Sequence, residues 1–157
     1  MRISVAALCA IAAIGFGSVA FAADMSPVVA VKDVKWGPAP PSLPPGAQLA
    51  VMAGDPAKAG FVSVRVTLPA GYTIPPHTHP TDEHVTVLSG SMAFGMGDKV
   101  DPMTATTAET GDYFTAVAGM HHYATTKTGA VVQIDLIGPF AITYINPADD
   151  PRNKKKP

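Results

Sequence analysis

Residues 71–90 read GYTIPPHTHPTDEHVTVLSG and hold three of the five histidines in this chain of 157 residues. His77 and His79 are two positions apart. Alternate residues of an extended chain point to the same side, so both imidazoles can face one point. Glu83 follows after a short bend, which can bring its carboxylate back towards the two imidazoles. Neutral imidazoles with a carboxylate suit Mn, Fe, Co, Ni, Cu or Zn. The stretch therefore predicts a site for one divalent transition metal.

The composition around this stretch predicts an all-β chain. Sixteen valines and fourteen threonines stand against six leucines, and 14 glycines and 16 prolines interrupt the chain. β-branched residues favour strands, whereas glycine and proline mark turns. Residues 61–68 alternate apolar and polar, as in a strand with one buried face. Ser89-Gly90 is interpreted as a turn between a strand over 84–88 and a partner over 92–96. Short strands joined by turns favour a sandwich or barrel in a single domain.

The spacing in residues 71–90 resembles the first conserved motif of the cupin superfamily, G-x5-H-x-H-x3-E-x6-G. Every fixed position is matched, by Gly71, His77, His79, Glu83 and Gly90. A chance match to all five positions, at this chain's own residue frequencies, is on the order of one in 100,000. The motif is therefore a specific signal.

The second cupin motif, G-x5-P-x-G-x2-H-x3-N, is matched in part. Gly111, Gly119 and His122 stand at their expected positions, while Val117 replaces the proline and Thr126 replaces the asparagine. The resemblance implies that His122 is the fourth metal ligand. It also implies a double-stranded β-helix, or jelly-roll barrel, with the metal in its open mouth. Flanking segments are similar to those of small secreted bacterial single-domain cupins. Many cupins dimerise, so the resemblance also allows a homodimer.

The remaining histidines have competing interpretations. His121 and His122 are adjacent and point to opposite faces of a strand, so only one should face the metal. The motif spacing favours His122 and leaves His121 a role at the rim of the site or in supporting a ligand. His84 follows Glu83 directly and should point away from it. Glu109 receives no role.

The N-terminal 22 residues predict a signal peptide. A positive start and an apolar stretch lead to Ala20-Phe21-Ala22, an A-x-A signal with cleavage before Ala23. The alternative is an uncleaved membrane anchor. Cleavage would place the protein in the periplasm or outside the cell. It would also remove Cys9, the only cysteine, and with it any thiolate chemistry.

The mature chain is predicted to have three parts. Residues 23–46 form an N-terminal strand, over 28–34, and a proline-rich arm that joins no sheet and packs along the barrel through Trp36 and Leu43. Residues 47–148 form the cupin β-barrel. Residues 149–157 form a mobile charged tail.

Two functions follow as hypotheses from the predicted site. The first is a secreted mononuclear metalloenzyme, of oxygenase type, because six-coordinate geometry around four ligands leaves open positions. The second is a non-catalytic periplasmic binder or sensor of a metal or small ligand. A purely structural cupin without metal is a third reading. The expected partner is a small, anionic or chelating molecule. A net charge of -1 argues against nucleic acid, and signal cleavage would leave no membrane partner.

Overall fold

The computed structural model describes residues 28–154, so the predicted signal peptide lies outside the described residues. The all-β prediction is confirmed, because helical structure in this part of the chain is limited to two short 3-10 helices, Val31–Asp33 and Pro151–Asn153. The strands are β1 (Gly37–Pro38), β2 (Gln48–Ala53), β3 (Gly60–Leu68), β4 (Thr73–Thr78), β5 (Glu83–Met96), β6 (Thr106–Glu109), β7 (Tyr113–Ala116), β8 (His122–Thr125), β9 (Ala130–Gly138) and β10 (Thr143–Tyr144).

The strands form one antiparallel sheet that curls on itself into the predicted barrel. One side has the order β1-β2-β3-β9-β5, with β7 also paired to β5. The other side continues from β5 through β8 and β4 to β10, with β6 also paired to β5. β5 is therefore the strand that joins the two sides, and it carries Glu83 at its start.

The predicted turn at Ser89-Gly90 is wrong, because β5 continues through these two residues. Residues 83–90 pair with β9, and residues 91–96 pair with β6 and β8. Gly90 bends the strand with φ at +75°, a conformation that favours glycine. A Cβ added there would lie 2.2 Å from the Gly129 carbonyl oxygen. The glycine thus lets one strand pass from one side of the barrel to the other.

The predicted N-terminal strand over 28–34 is also wrong. Residues 31–33 form a 3-10 helix, and Val28 and Val31 are exposed, because this run meets no partner strand within the described residues. The arm does join the sheet at Gly37–Pro38, contrary to the expectation that its prolines exclude pairing. β1 is an edge strand, where proline is tolerated. Of the two predicted contacts, Leu43 is buried, while Trp36 is 37% exposed.

The core lies inside the barrel. The predicted inward face of β3 is confirmed, since Val62, Val64, Val66 and Leu68 are all buried, whereas Ser63 on the opposite, predicted polar face is buried as well. Each such side chain contributes roughly 1.5–3 kcal/mol relative to an exposed one. This apolar interior surrounds the side chains described below.

The described part of the predicted tail contains an ordered turn. The carboxylate of Asp150 accepts the backbone N–H of Arg152 at 2.9 Å, and the Arg152 guanidinium donates to the Ile142 carbonyl oxygen at 3.2 Å. The mobility and the domain bounds stay predictions. Among residues 28–154, the helices are too short to cross a membrane.

Candidate metal centre

Three histidines meet inside the barrel. His77 lies in β4, His79 follows that strand, and His122 begins β8. His77 and His122 are direct cross-strand partners. One potential ligand atom of each of the three histidines lies within 4.8 Å of the others, and all three residues are buried. The structure therefore brings together three of the four predicted ligands in one compact group.

Backbone carbonyls orient each imidazole through its Nδ1 nitrogen. The Nδ1–H groups of His77, His79 and His122 donate to the carbonyl oxygens of residues 75, 141 and 120, at 2.6, 2.7 and 2.9 Å. A carbonyl oxygen can only accept, so Nδ1 carries the proton in each ring. Each Nε2 is then the nitrogen with a free lone pair. This arrangement is typical of metal-binding histidines.

Burial keeps the imidazoles neutral. It is the main cause that lowers the pKa of His77 to about 3, and the neighbouring His122 and His79 add to the shift. Burial likewise lowers the pKa of His79 to about 4 and lowers the pKa of His122. A metal ligand must be unprotonated, so these rings are competent ligands throughout the neutral range.

Glu83 lies beside the histidines with an unsatisfied carboxyl oxygen. The residue is 5% exposed, and its Oε1 has no hydrogen-bond partner within the described residues. Burial raises the pKa of Glu83 to about 8. An unpaired buried carboxylate is costly, and a nearby cation removes that cost. Three imidazole lone pairs next to such a carboxyl group therefore fit a divalent transition metal.

The other predicted candidates lie elsewhere. His121 has a side chain that is 44% exposed, and its Nδ1 is 2.5 Å from Oδ1 of Asp98. His84 is exposed, with Nδ1 2.6 Å from the Tyr113 hydroxyl oxygen. Glu109 is exposed on β6. The structure thus separates the buried group from the surface histidines.

A cavity of about 50 Å³ adjoins the histidines. Apart from His77, His79, Glu83 and His122, its described lining is wholly apolar. These apolar residues are Leu43, Val66, Leu68, Ile74, Val85, Met92, Phe94, Phe114, Ala116, Ala124, Val132, Ile134, Phe140 and Ile142. A single water needs about 10–15 Å³ by this kind of measure, so the space holds only a few non-hydrogen atoms. Sequence reasoning placed Leu43 against the barrel but missed its place in the cavity wall, since no sequence pattern marks it.

Comparison with known proteins identifies this architecture. Residues 64–136 match the family model described as Cupin domain. Comparison with curated proteins gives no match. Three solved structures of low sequence identity to this chain share its fold.

The polyketide cyclase RemF from Streptomyces resistomycificus is 18% identical, with a TM-score of 0.61, over 81% of this chain and 90% of that one. A candidate acetylacetone dioxygenase from Methylibium petroleiphilum PM1 is 18% identical, with a TM-score of 0.59, over 80% and 85%. The DMSP lyase DddQ from Ruegeria pomeroyi DSS-3 is 20% identical, with a TM-score of 0.58, over 74% and 63%. Identities of this size show a shared fold.

Proposed function

The chain belongs to the cupin superfamily, and from that premise we propose that it is a mononuclear metal-dependent enzyme acting on a small organic molecule. Oxygenation is the reaction we favour. One observation carries the proposal: three buried imidazoles, each oriented by a backbone carbonyl, stand beside the Glu83 carboxyl group, whose Oε1 has no hydrogen-bond partner among residues 28–154. A metal held by His77, His79, Glu83 and His122 would supply Lewis acidity and, for Fe or Cu, redox chemistry.

The chain's own residues restrict what can react at this site. Within the described lining, the apolar walls add no acid or base beyond the four predicted ligands. With these four side chains on a metal, any proton exchanged at the site would be carried by the substrate or by a water molecule. Burial raises the pKa of Glu83 to about 8 in the metal-free protein, and a bound cation would favour its ionised form.

The cavity also limits the substrate. Its volume of about 50 Å³ admits a small molecule or one end of a longer one. Apolar walls favour a carbon skeleton, and a metal would favour an oxygen-bearing, anionic or chelating group. Fold similarity to a candidate acetylacetone dioxygenase supports oxygenation by analogy alone.

A second candidate function is a binder or sensor of a metal or small ligand, without turnover. It is favoured by the same apolar lining, because catalysis would have to proceed without any further polar side chain from the described walls. The two functions differ in whether bound ligand is converted.

Turnover by the reconstituted protein tests the proposal. The protein is loaded in turn with Fe, Mn, Ni, Cu and Zn and offered phenols, diketones and organic acids under air. We expect O₂ consumption with at least one metal, and its loss in the matched variant His77→Ala. Tight metal binding without consumption of O₂ or conversion of any substrate would contradict the enzyme and support the binder.

Export is a separate proposal, carried by residues 1–22 of the sequence. We expect the protein isolated from a secreting host to begin at Ala23, because cleavage follows the A-x-A signal. Mass spectrometry of the intact protein measures this directly. An N-terminal Met1 in exported material would contradict cleavage and favour the membrane anchor.

A further inference from the structure

One part of the cavity wall comes from the proline-rich arm that precedes β2. Leu43 lies in the arm before β2, is 6% exposed, and lines the same cavity as His77 and Glu83. Every other described lining residue lies in β3 to β10 or in the connections between these strands. The position of this part of the wall therefore depends on how the arm is held.

Two tyrosine hydroxyls fasten the arm on either side of Leu43. The Tyr144 hydroxyl donates to the Ser42 carbonyl oxygen at 2.8 Å, and the Tyr72 hydroxyl donates to the Pro44 carbonyl oxygen. Both tyrosines are 6% exposed. The carbonyl groups of the residues before and after Leu43 are thus each held from the barrel by a buried side chain.

The same contacts tie the arm to the predicted metal ligands. Tyr144 is the cross-strand partner of His77 in the β4–β10 pair, and the centroids of their rings are 5.9 Å apart. Four prolines between residues 40 and 45 restrict the backbone of the arm, because each fixes φ near -65°. A restricted segment fastened beside a ligand strand holds its side chains in a defined place.

We propose that Leu43 is a specificity-determining residue that limits the size of the molecule at the candidate metal centre, and that Tyr144 positions it. The inference rests on the proposed function, since it takes the cavity to be the ligand site. Shortening Leu43 should admit larger ligands without changing the histidines. Removing the Tyr144 hydroxyl should have the same effect in weaker form, because the wall keeps its atoms but loses one attachment.

The metal-free protein provides the first test, with fluorobenzene as the ligand and fluorine NMR as the readout. Apolar cavities that bind benzene have volumes of about 150 Å³, well above the volume here. We expect the wild type to bind fluorobenzene weakly and Leu43→Ala to bind it at least about tenfold more tightly. Equal affinity in the two proteins would overturn the role of Leu43.

The cobalt-loaded protein provides the second test, read from its visible absorption. Azide serves as the small ligand and benzohydroxamate as the large one. We expect Leu43→Ala to increase the affinity for benzohydroxamate at least about tenfold and to leave that for azide within about twofold. Tyr144→Phe should shift the ratio of the two affinities in the same direction by a smaller factor. An unchanged ratio in Tyr144→Phe would overturn its positioning role.

Leu49→Ala is the matched control. Leu49 packs against the core from β2, opposite Gly37 of β1, and is not among the lining residues. An increase in large-ligand affinity as great as that of Leu43→Ala would show general loosening and overturn the proposal. If no protein binds cobalt, the proposed function fails, while the fluorobenzene result still decides the role of Leu43.

Discussion

The Nδ1 nitrogen of His79 lies 3.2 Å from Oε1 of Glu83, yet its proton is donated to the Ala141 carbonyl oxygen at 2.7 Å. The close approach is therefore not a hydrogen bond, and Oε1 has none in the part of the chain that the structure describes. The fold orients the histidine with a neutral acceptor and leaves the buried carboxyl group unsatisfied. A site that is unfavourable for stability until a cation arrives is typical of a functional centre.

Replacing Glu83 by glutamine should therefore separate stability from metal binding. At pH 8 we expect metal-free Glu83→Gln to be more stable than the wild type by on the order of 1 kcal/mol, because no charge can form in the buried position. The same variant should bind metal at least about tenfold more weakly. Urea unfolding and metal titration measure the two effects.

Glu109→Gln is the control for this pair of measurements, since Glu109 is the chain's other glutamate and is exposed. It should change neither quantity. A metal-free Glu83→Gln protein that is much less stable than the wild type, with unchanged metal affinity, would show that Glu83 is a structural residue.

The metal-free protein should be most stable near pH 6.5. The pKa values of His77 and His79 are lowered to about 3 and about 4, so between pH 6.5 and about 4 mainly the unfolded chain takes up these protons, and the free energy of unfolding falls as the pH drops. The pKa of Glu83 is raised to about 8, so between pH 4.5 and 8 its proton is held by the folded state and stability falls as pH rises. Between 4.5 and 6.5 the histidines outweigh the single carboxyl group.

With metal bound, the free energy of unfolding should no longer decline above pH 6.5, because the Glu83 carboxyl group is then already ionised and paired with the cation. Urea unfolding over pH 5–9, with and without added Zn, measures the profile. In the metal-free state, the free energy of unfolding of the wild type minus that of Glu83→Gln should fall by on the order of 1 kcal/mol between pH 6.5 and 8. A difference that is flat over this range would contradict burial of Glu83.

The bend in β5 can be tested with two glycines. A Cβ at Gly90 would approach the Gly129 carbonyl oxygen to 2.2 Å, whereas one at Gly97 would meet nothing within 4 Å. Both have positive φ, at +75° and +106°. We expect Gly97→Ala to cost about 1–2 kcal/mol from backbone strain and Gly90→Ala roughly 3 kcal/mol or more. Equal losses in urea unfolding would contradict the close packing of β5 on β9.

Local sequence accounts for much of the fold and for the residues that meet in the site. Alternation in residues 61–68 predicts β3 because one face of that strand is buried. The spacing of His77, His79, Glu83 and His122 reflects which residues of β4, β5 and β8 point inward. Such patterns can be recognised in a sequence because alternate residues of a strand point to the same face.

Contacts between distant segments could not be predicted in this way. Ser89-Gly90 has the composition of a turn, and the strand continues through it because Gly90 pairs with Ala130 of β9 and Ser91 pairs with Glu109 of β6. The hydroxyl of Tyr144 meets a carbonyl 102 positions earlier in the chain, which no local pattern encodes. The position of Leu43 in the cavity wall is therefore visible only in the structure.

The metal content of natively expressed protein tests the central claim, that His77, His79, Glu83 and His122 hold one metal ion. Elemental analysis of the purified wild type should find about one transition metal per chain. His77→Ala should lose most of it, and His121→Ala, which alters an exposed histidine, should retain it. Circular dichroism and cooperative unfolding establish that each variant is folded. A wild type without metal, or equal metal in the wild type and folded His77→Ala, would contradict the account.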